Sequence, residues 1–150
     1  MADDEGMKRI VVGVDGSPGS VAALAWAFAL ASETGASVEA VMAWELGYGW
    51  IDGYAPDIER WCEESARQCE RRLDAAIAAA SVDVPPPASL VQSVVEGAAA
   101  QVLLDASKDA DLLVVGSRGR GGFTGLLLGS VSQQCVHHGQ VPVTVVPQPG

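Results

Sequence analysis

Between Gly116 and Ser132 the chain runs GSRGRGGFTGLLLGSVS, a glycine-spaced stretch with two arginines and a serine-containing segment that starts a helix. These residue types suit the holding of phosphate. Glycine lets backbone N–H groups approach oxygen atoms, and the unpaired N–H groups at a helix start favour anions. Charge at an exposed helix N-terminus gains only about 0.3 to 1 kcal/mol, so several loop amides or a metal ion have to add to it. Arg118 and Arg120 form a local positive island in a chain of net charge −10. They either assist at phosphate or are simply solvated.

Related motifs are excluded by spelling. Gly116 and Gly121 match the glycine spacing of a Walker loop, but Gly122 and Phe123 stand where Lys and Ser/Thr are required. The dinucleotide pattern G-x-G-x-x-G fails because Gly119 and Gly121 are followed by Thr124. No serine has the G-x-S-x-G setting of a hydrolase nucleophile. Cys135, His137 and His138 lie within four residues and lack a second ligand pair at zinc-site spacing, so they are expected to be a structural thiol and helix-end histidines.

The bulk composition narrows the partners. A chain of 150 residues, 49% hydrophobic and 19% charged, is expected to fold as one domain with a sizeable core. Its acidity, with Lys8 and Lys108 the only lysines, argues against nucleic acid, which requires a cationic face. Three cysteines are an odd number for a disulfide framework and fit a reducing compartment. The start MADDEGMKR has no hydrophobic signal segment, and VAALAWAFALA (Val21 to Ala31) is too short to span a membrane. A soluble cytoplasmic protein is expected.

The elements that must position the glycine loop follow from the apolar pattern. Ile10 to Val14 predicts a first strand, and DGSPGS then supplies a turn with Ser17 as cap and Pro18 at the first helical position. The helix that follows is almost wholly apolar to Ser32, as one buried on most of its surface would be, and stops at Gly35. Ser37 to Trp44 predicts a second strand. A helix starting near Pro56 keeps three-four spacing through Ile58, Trp61, Cys69, Leu73 and Ile77 until VDVPPP breaks it. Leu90 to Val95, Asp111 to Val115 and Val141 to Val146 predict strands; Ala98 to Lys108 and Ser130 to His138 predict helices. Five apolar strands separated by helices imply a mostly parallel sheet covered on both faces, with ligands at the strand carboxyl ends. Asp15 and Gly116 both lie just past such an end. Pro142 favours an edge or a strand end.

IVVGVDGS, the alanine-rich helix, DLLVVGSRGRGGFTGLLLGSVS and the terminal VPVTVVP together resemble the universal stress protein family. Gly116, Gly119, Gly129 and Ser130 match its pattern of glycine, two residues, glycine, nine residues, glycine and Ser/Thr. The resemblance runs from about residue 8 to 147, with residues 1–7 as a flexible tail. It implies an α/β, Rossmann-like fold: an open five-stranded parallel sheet in the order 3-2-1-4-5 with helices on both faces. It further implies binding of ATP or a related adenine nucleotide, AMP or cyclic AMP. Gly13 and Asp15 would line the adenine and ribose side, and backbone groups near Ala43 would meet the adenine edge. Gly116, Ser117, Arg118, Gly119, Arg120 and Gly121 would wrap the ribose and phosphates, with Gly129, Ser130 and Val131 closing over them. Asp15 alternatively caps or stabilises its turn. Mg or Mn could accompany the nucleotide near Asp15 or Ser130. Val141 to Val146 resembles an edge strand that pairs across a two-fold axis to give a homodimer.

The loop from Leu46 to Pro56 is either a lid, with Tyr48, Trp50 and Tyr54 stacking on adenine, or cover for the neighbouring core. Three functions stay open at the level of sequence. A non-catalytic nucleotide-binding regulator fits a binding loop with no lysine and no paired carboxylates nearby. Slow ATP hydrolysis or phosphate transfer is the second, and a module acting only through partners, without ligand, is the third.

Overall fold

A computed structural model of the chain describes residues 6–45, 58–119 and 128–148. Nine elements alternate: β1 (Arg9–Gly13), α1 (Pro18–Thr34), β2 (Ser37–Trp44), α2 (Ile58–Ala80), β3 (Val91–Glu96), α3 (Ala99–Ala106), β4 (Leu112–Gly116), α4 (Ser130–His138) and β5 (Val143–Val146). The strands form one parallel sheet in the order β3-β2-β1-β4-β5. Sheet type and order agree with those implied by the family resemblance.

Alternation along the strands divides the core into two layers, because successive side chains point to opposite faces. Ile10, Val12, Val38, Ala40, Leu112 and Val114 pack with α1 and α2; Val11, Val41, Leu113 and Val115 pack with α3 and α4. Both faces of β1 and β4 are therefore covered, which is why these strands read as unbroken apolar runs.

The helix ends follow their local chemistry. Ser17 Oγ accepts a hydrogen bond from the Ser20 N–H at 3.2 Å, Pro18 opens α1, and Gly35 closes it at φ 79°, a left-handed conformation. α2 buries Cys69, Leu73, Ala76, Ile77 and Ala80 along one stripe and turns its charged residues to water. α1 departs from expectation: Trp26 and Ala29 are exposed, so an apolar helix is covered on one side only. β5 begins at Val143 instead of Val141, because Pro142 has no N–H for the ladder; its carbonyl accepts from Leu113 N–H at 3.0 Å just before the strand starts.

The amino ends of β1 and β4 are tied by Asp111, whose carboxylate accepts the N–H groups of Lys8 (2.8 Å) and Arg9 (3.0 Å). Those two backbone donors, with Lys8 nearby, hold the carboxyl below its usual pKa. A folded-state pKa below the unfolded one adds stability above the ordinary carboxylate range, lost as pH falls through the lowered value. Asp111→Asn is thus expected to lower the urea midpoint at pH 7, by an amount that shrinks as pH falls below the ordinary carboxylate range. A series of urea melts from pH 7 downward checks this.

Candidate functional site

The carboxyl ends of β1, β2 and β4 and the first turns of α3 and α4 enclose a cavity of about 320 Å³. Such a crevice forms where neighbouring connections leave the sheet in opposite directions, as those after β1 and β4 do here. β1 delivers Gly13 and Asp15, and the turn continues through Gly16 at φ 85°, a conformation glycine adopts without strain. Asp15 Oδ1 accepts the Ser17 N–H at 2.9 Å, so the carboxylate is fixed by its own turn while lining the cavity. The two roles open for Asp15 in the sequence are geometrically compatible.

β4 ends against the first turn of α1. A Cβ added at Gly116 would lie 2.9 Å from the carbonyl carbon and oxygen of Gly19, and one added at Gly19 would lie 2.8 Å from Arg118 O. These neighbours are backbone and have no rotamer by which to retreat. A Cβ at Gly119 would collide with Asp15 Oδ2. Glycine at 116 and 119 thus holds β4 and its following loop close to the β1 turn. Gly129 differs, since a Cβ there would meet Arg118 Cα at 3.4 Å, an ordinary contact.

α4 starts at the cavity with Gly129 as its N-cap and no side chain capping it. Ser130 and Val131 line the space, so the N–H end of this helix points toward it. Ser132 Oγ is used internally, donating to Ser117 O at 2.9 Å. Ser117, expected at the ligand, is not among the described lining residues. Its carbonyl also accepts Gly129 N–H (2.7 Å), its N–H donates to Val146 O (2.8 Å) and its hydroxyl accepts Gln148 N–H (3.3 Å). Ser117 is the joint between β4, α4 and β5.

Gly13, Asp15, Ala43, Gly116, Arg118, Gly119, Gly129, Ser130 and Val131 all line this one cavity. Arg120 and Gly121, and the loop from Leu46 to Pro56, lie outside the described residues. The sequence did not point to Val41, Ala99 or Leu103, which form the apolar wall. Val41 was within reach, since it shares a strand face with Ala43. Ala99 and Leu103 carry the four-residue spacing of any core-facing helix stripe, so nothing local distinguishes them.

Cys135 is fully buried, and burial pushes its thiol up to about 11. Burial also raises Cys69, whereas Cys62 is half-buried. The thiolate is the reactive form. At pH 8 the native protein is expected to titrate one thiol with Ellman's reagent, Cys62, and all three in denaturant. Among the described residues no three His, Cys, Asp or Glu side chains converge as a metal site, and no helix is long and apolar enough to cross a membrane.

Residues 6–147 match the sequence profile of the Universal stress protein family. A universal stress protein of Mycolicibacterium smegmatis is 39% identical over 137 residues, which are 91% of this chain and 45% of that protein. This chain spans about half the length of the curated relatives it matches. Among solved structures, universal stress protein UspA from Lactobacillus plantarum superposes with a TM-score of 0.77 at 19% identity, covering 95% of this chain and 99% of that one. A universal stress protein in complex with cAMP does so with a TM-score of 0.62 at 25% identity, covering 97% of this chain and 100% of that one. With the sheet order, the glycine-walled cavity and a profile match over nearly its whole length, the chain belongs to the universal stress protein family.

Proposed function

We propose that the cavity binds an adenine nucleotide, ATP or its relatives AMP and cyclic AMP, and that the protein is a stress-response regulator working as a homodimer. One observation carries the ligand: the start of α4, with no side-chain cap, opens into a crevice beside Gly116, where a Cβ would lie 2.9 Å from the Gly19 backbone. An apolar wall of Val41, Ala43 and Leu103 beside these backbone donors suits a flat base joined to phosphate. The relative crystallised with cAMP supports the same ligand class.

The residues present fit the nucleotide. Ser130 and Val131 would offer N–H groups to phosphate, and the Asp15 carboxylate or the Ser130 hydroxyl would hold any accompanying Mg or Mn. The metal would supply charge neutralisation. The binding loop lacks the Walker lysine, which favours retention of nucleotide over its turnover. The dimer would form through the edge strand within Val141 to Val146, and a chain of net charge −10 would not engage nucleic acid.

Mass spectrometry of small molecules released from the denatured, purified protein tests this. ATP, AMP or cyclic AMP in stoichiometric amount supports the proposal. No released nucleotide, together with no calorimetric heat on titrating all three, would end it. Turnover of ATP abolished by Asp15→Asn would instead favour a slow ATPase.

A further inference from the structure

The cavity at the strand ends has a neighbour. A second, more open groove of about 580 Å³ lies between the start of α1 and the second half of α2, and Ser17 and Gly119 line both spaces. Those two residues form a shared rim. At that rim Gly119 carries no side chain, and one placed there would collide with Asp15. The cavity itself holds about 320 Å³, near the lower end of the roughly 300–1,000 Å³ of small-molecule sites, so a longer ligand has to extend beyond it. Across the rim there is room.

The far wall of the groove carries one charge. Arg72, Ala75, Ala76 and Ala79 line it, and their spacing of three, four and seven puts them on one face of α2. Three of the four are alanine, so only the Arg72 side chain reaches far from that face. α2 is rich in carboxylates, yet Gln68, Cys69, Ala75 and Ala76 stand at the positions three and four residues from Arg72, where an intrahelical partner would be. Arg67, by contrast, meets Glu63 four residues away. No described residue of the groove is acidic, in a chain with 19 acidic and 9 basic residues.

The two compartments therefore differ in charge. Asp15 puts a carboxylate in the cavity beside Arg118, and each phosphate added to a nucleotide increases its repulsion from that carboxylate. The groove offers a guanidinium, whose forked N–H groups suit phosphate oxygens, and Gln148 adds a side-chain amide to the same lining. We infer that the groove takes the terminal phosphates of a nucleotide whose base and ribose sit in the cavity, and that Arg72 makes the site prefer ATP to AMP. This rests on the adenine-nucleotide reading proposed above and adds the residue that sets the number of phosphates. The first phosphate stays at the start of α4; the later ones cross the Ser17–Gly119 rim.

Calorimetric titration of the full chain with AMP and with ATP in magnesium buffer tests it, comparing wild type with Arg72→Gln and Arg71→Gln. Both arginines are exposed, and Arg71, which does not line the groove, loses the same charge from the same helix. Circular dichroism confirms that each variant folds. The expected result is a wild type that binds ATP at least about tenfold more tightly than AMP, the scale of one charge-assisted hydrogen bond. Arg72→Gln removes that advantage and leaves AMP affinity unchanged; Arg71→Gln alters neither. A ratio of ATP to AMP affinity unmoved by Arg72→Gln overturns the inference, and so does an equal loss in Arg71→Gln, which would report only the general field of the surface. A wild type that binds AMP as tightly as ATP overturns it too and leaves the adenine-nucleotide site standing. A wild type that binds neither ends both.

Discussion

Gly116→Ala is expected to weaken binding of adenine nucleotide about tenfold or more and to lower the melting temperature by several degrees. The added methyl would sit 2.9 Å from two backbone atoms of Gly19, so relief requires moving either the end of β4 or the start of α1. β4 is held by the Ser117 N–H to Val146 O bond at 2.8 Å, and Ser117 in turn accepts the Gly129 N–H that starts α4. α1 is held by the Ser17 cap. Overpacking of this kind costs about 1–3 kcal/mol, and about 2–4 °C of melting temperature accompanies each kcal/mol in a domain of this size. Any shift of β4 also moves the α4 amides relative to Asp15, and 1.4 kcal/mol lost there is a factor of ten in affinity. Gly129→Ala is the control for the steric effect on stability, since its methyl meets nothing closer than 3.4 Å. Thermal melts on both variants check the steric account, which equal melting temperatures would refute, and AMP calorimetry on Gly116→Ala checks the affinity.

Phe28→Ala is expected to be the most destabilising single truncation described, at about 3–5 kcal/mol. Phe28 has no exposed surface and packs in the layer of Leu24, Leu73, Ile10 and Val12, between α1, α2 and the sheet. The neighbouring side chains project from elements fixed by their own backbone bonds, so the space left by the ring closes only partly. A domain's whole stability is about 5–15 kcal/mol, so this one change removes a large part of it. Urea unfolding should show a lower midpoint with unchanged slope. Val82→Ala, at a position 80% exposed, should stay within about 0.5 kcal/mol of wild type.

Much of the molecule was legible in the sequence because its punctuation is chemical. Ser17, Pro18 and Gly35 bound α1 by capping, fixed φ and a left-handed stop, and the structure uses each of them that way. Ser37–Trp44 and Ser130–His138 have the expected ends, the helix flanked by Gly129 and Gly139. Sheet order came with the family resemblance, since pairing between β1 and β4 leaves no local mark in either strand. Within the cavity, Gly116 and Gly119 could be recognised by spacing. Gly19 could not, because its only distinguishing feature is a tertiary approach to Arg118. Ser117 shows a related gap: beside two glycines a serine suggests ligand contact, and nothing local reveals that its N–H, carbonyl and hydroxyl oxygen also join three elements. The outer side of α1 misled differently. Composition registers that a residue is apolar and does not register whether its own chain covers it.

The pairing of Ile10 with Leu112 joins residues 102 apart in sequence, and the cavity draws on positions from Gly13 to Ser132. No half of the chain contains the site, and closing so long a loop must precede any ligand contact. Occupancy is thereby linked to complete folding and not to the opening of one segment. A ligand at 100 times its dissociation constant would add about 2.7 kcal/mol against global unfolding. Where degradation proceeds through the unfolded chain, the abundance of this protein would follow the concentration of its ligand, making its lifetime a readout of that concentration.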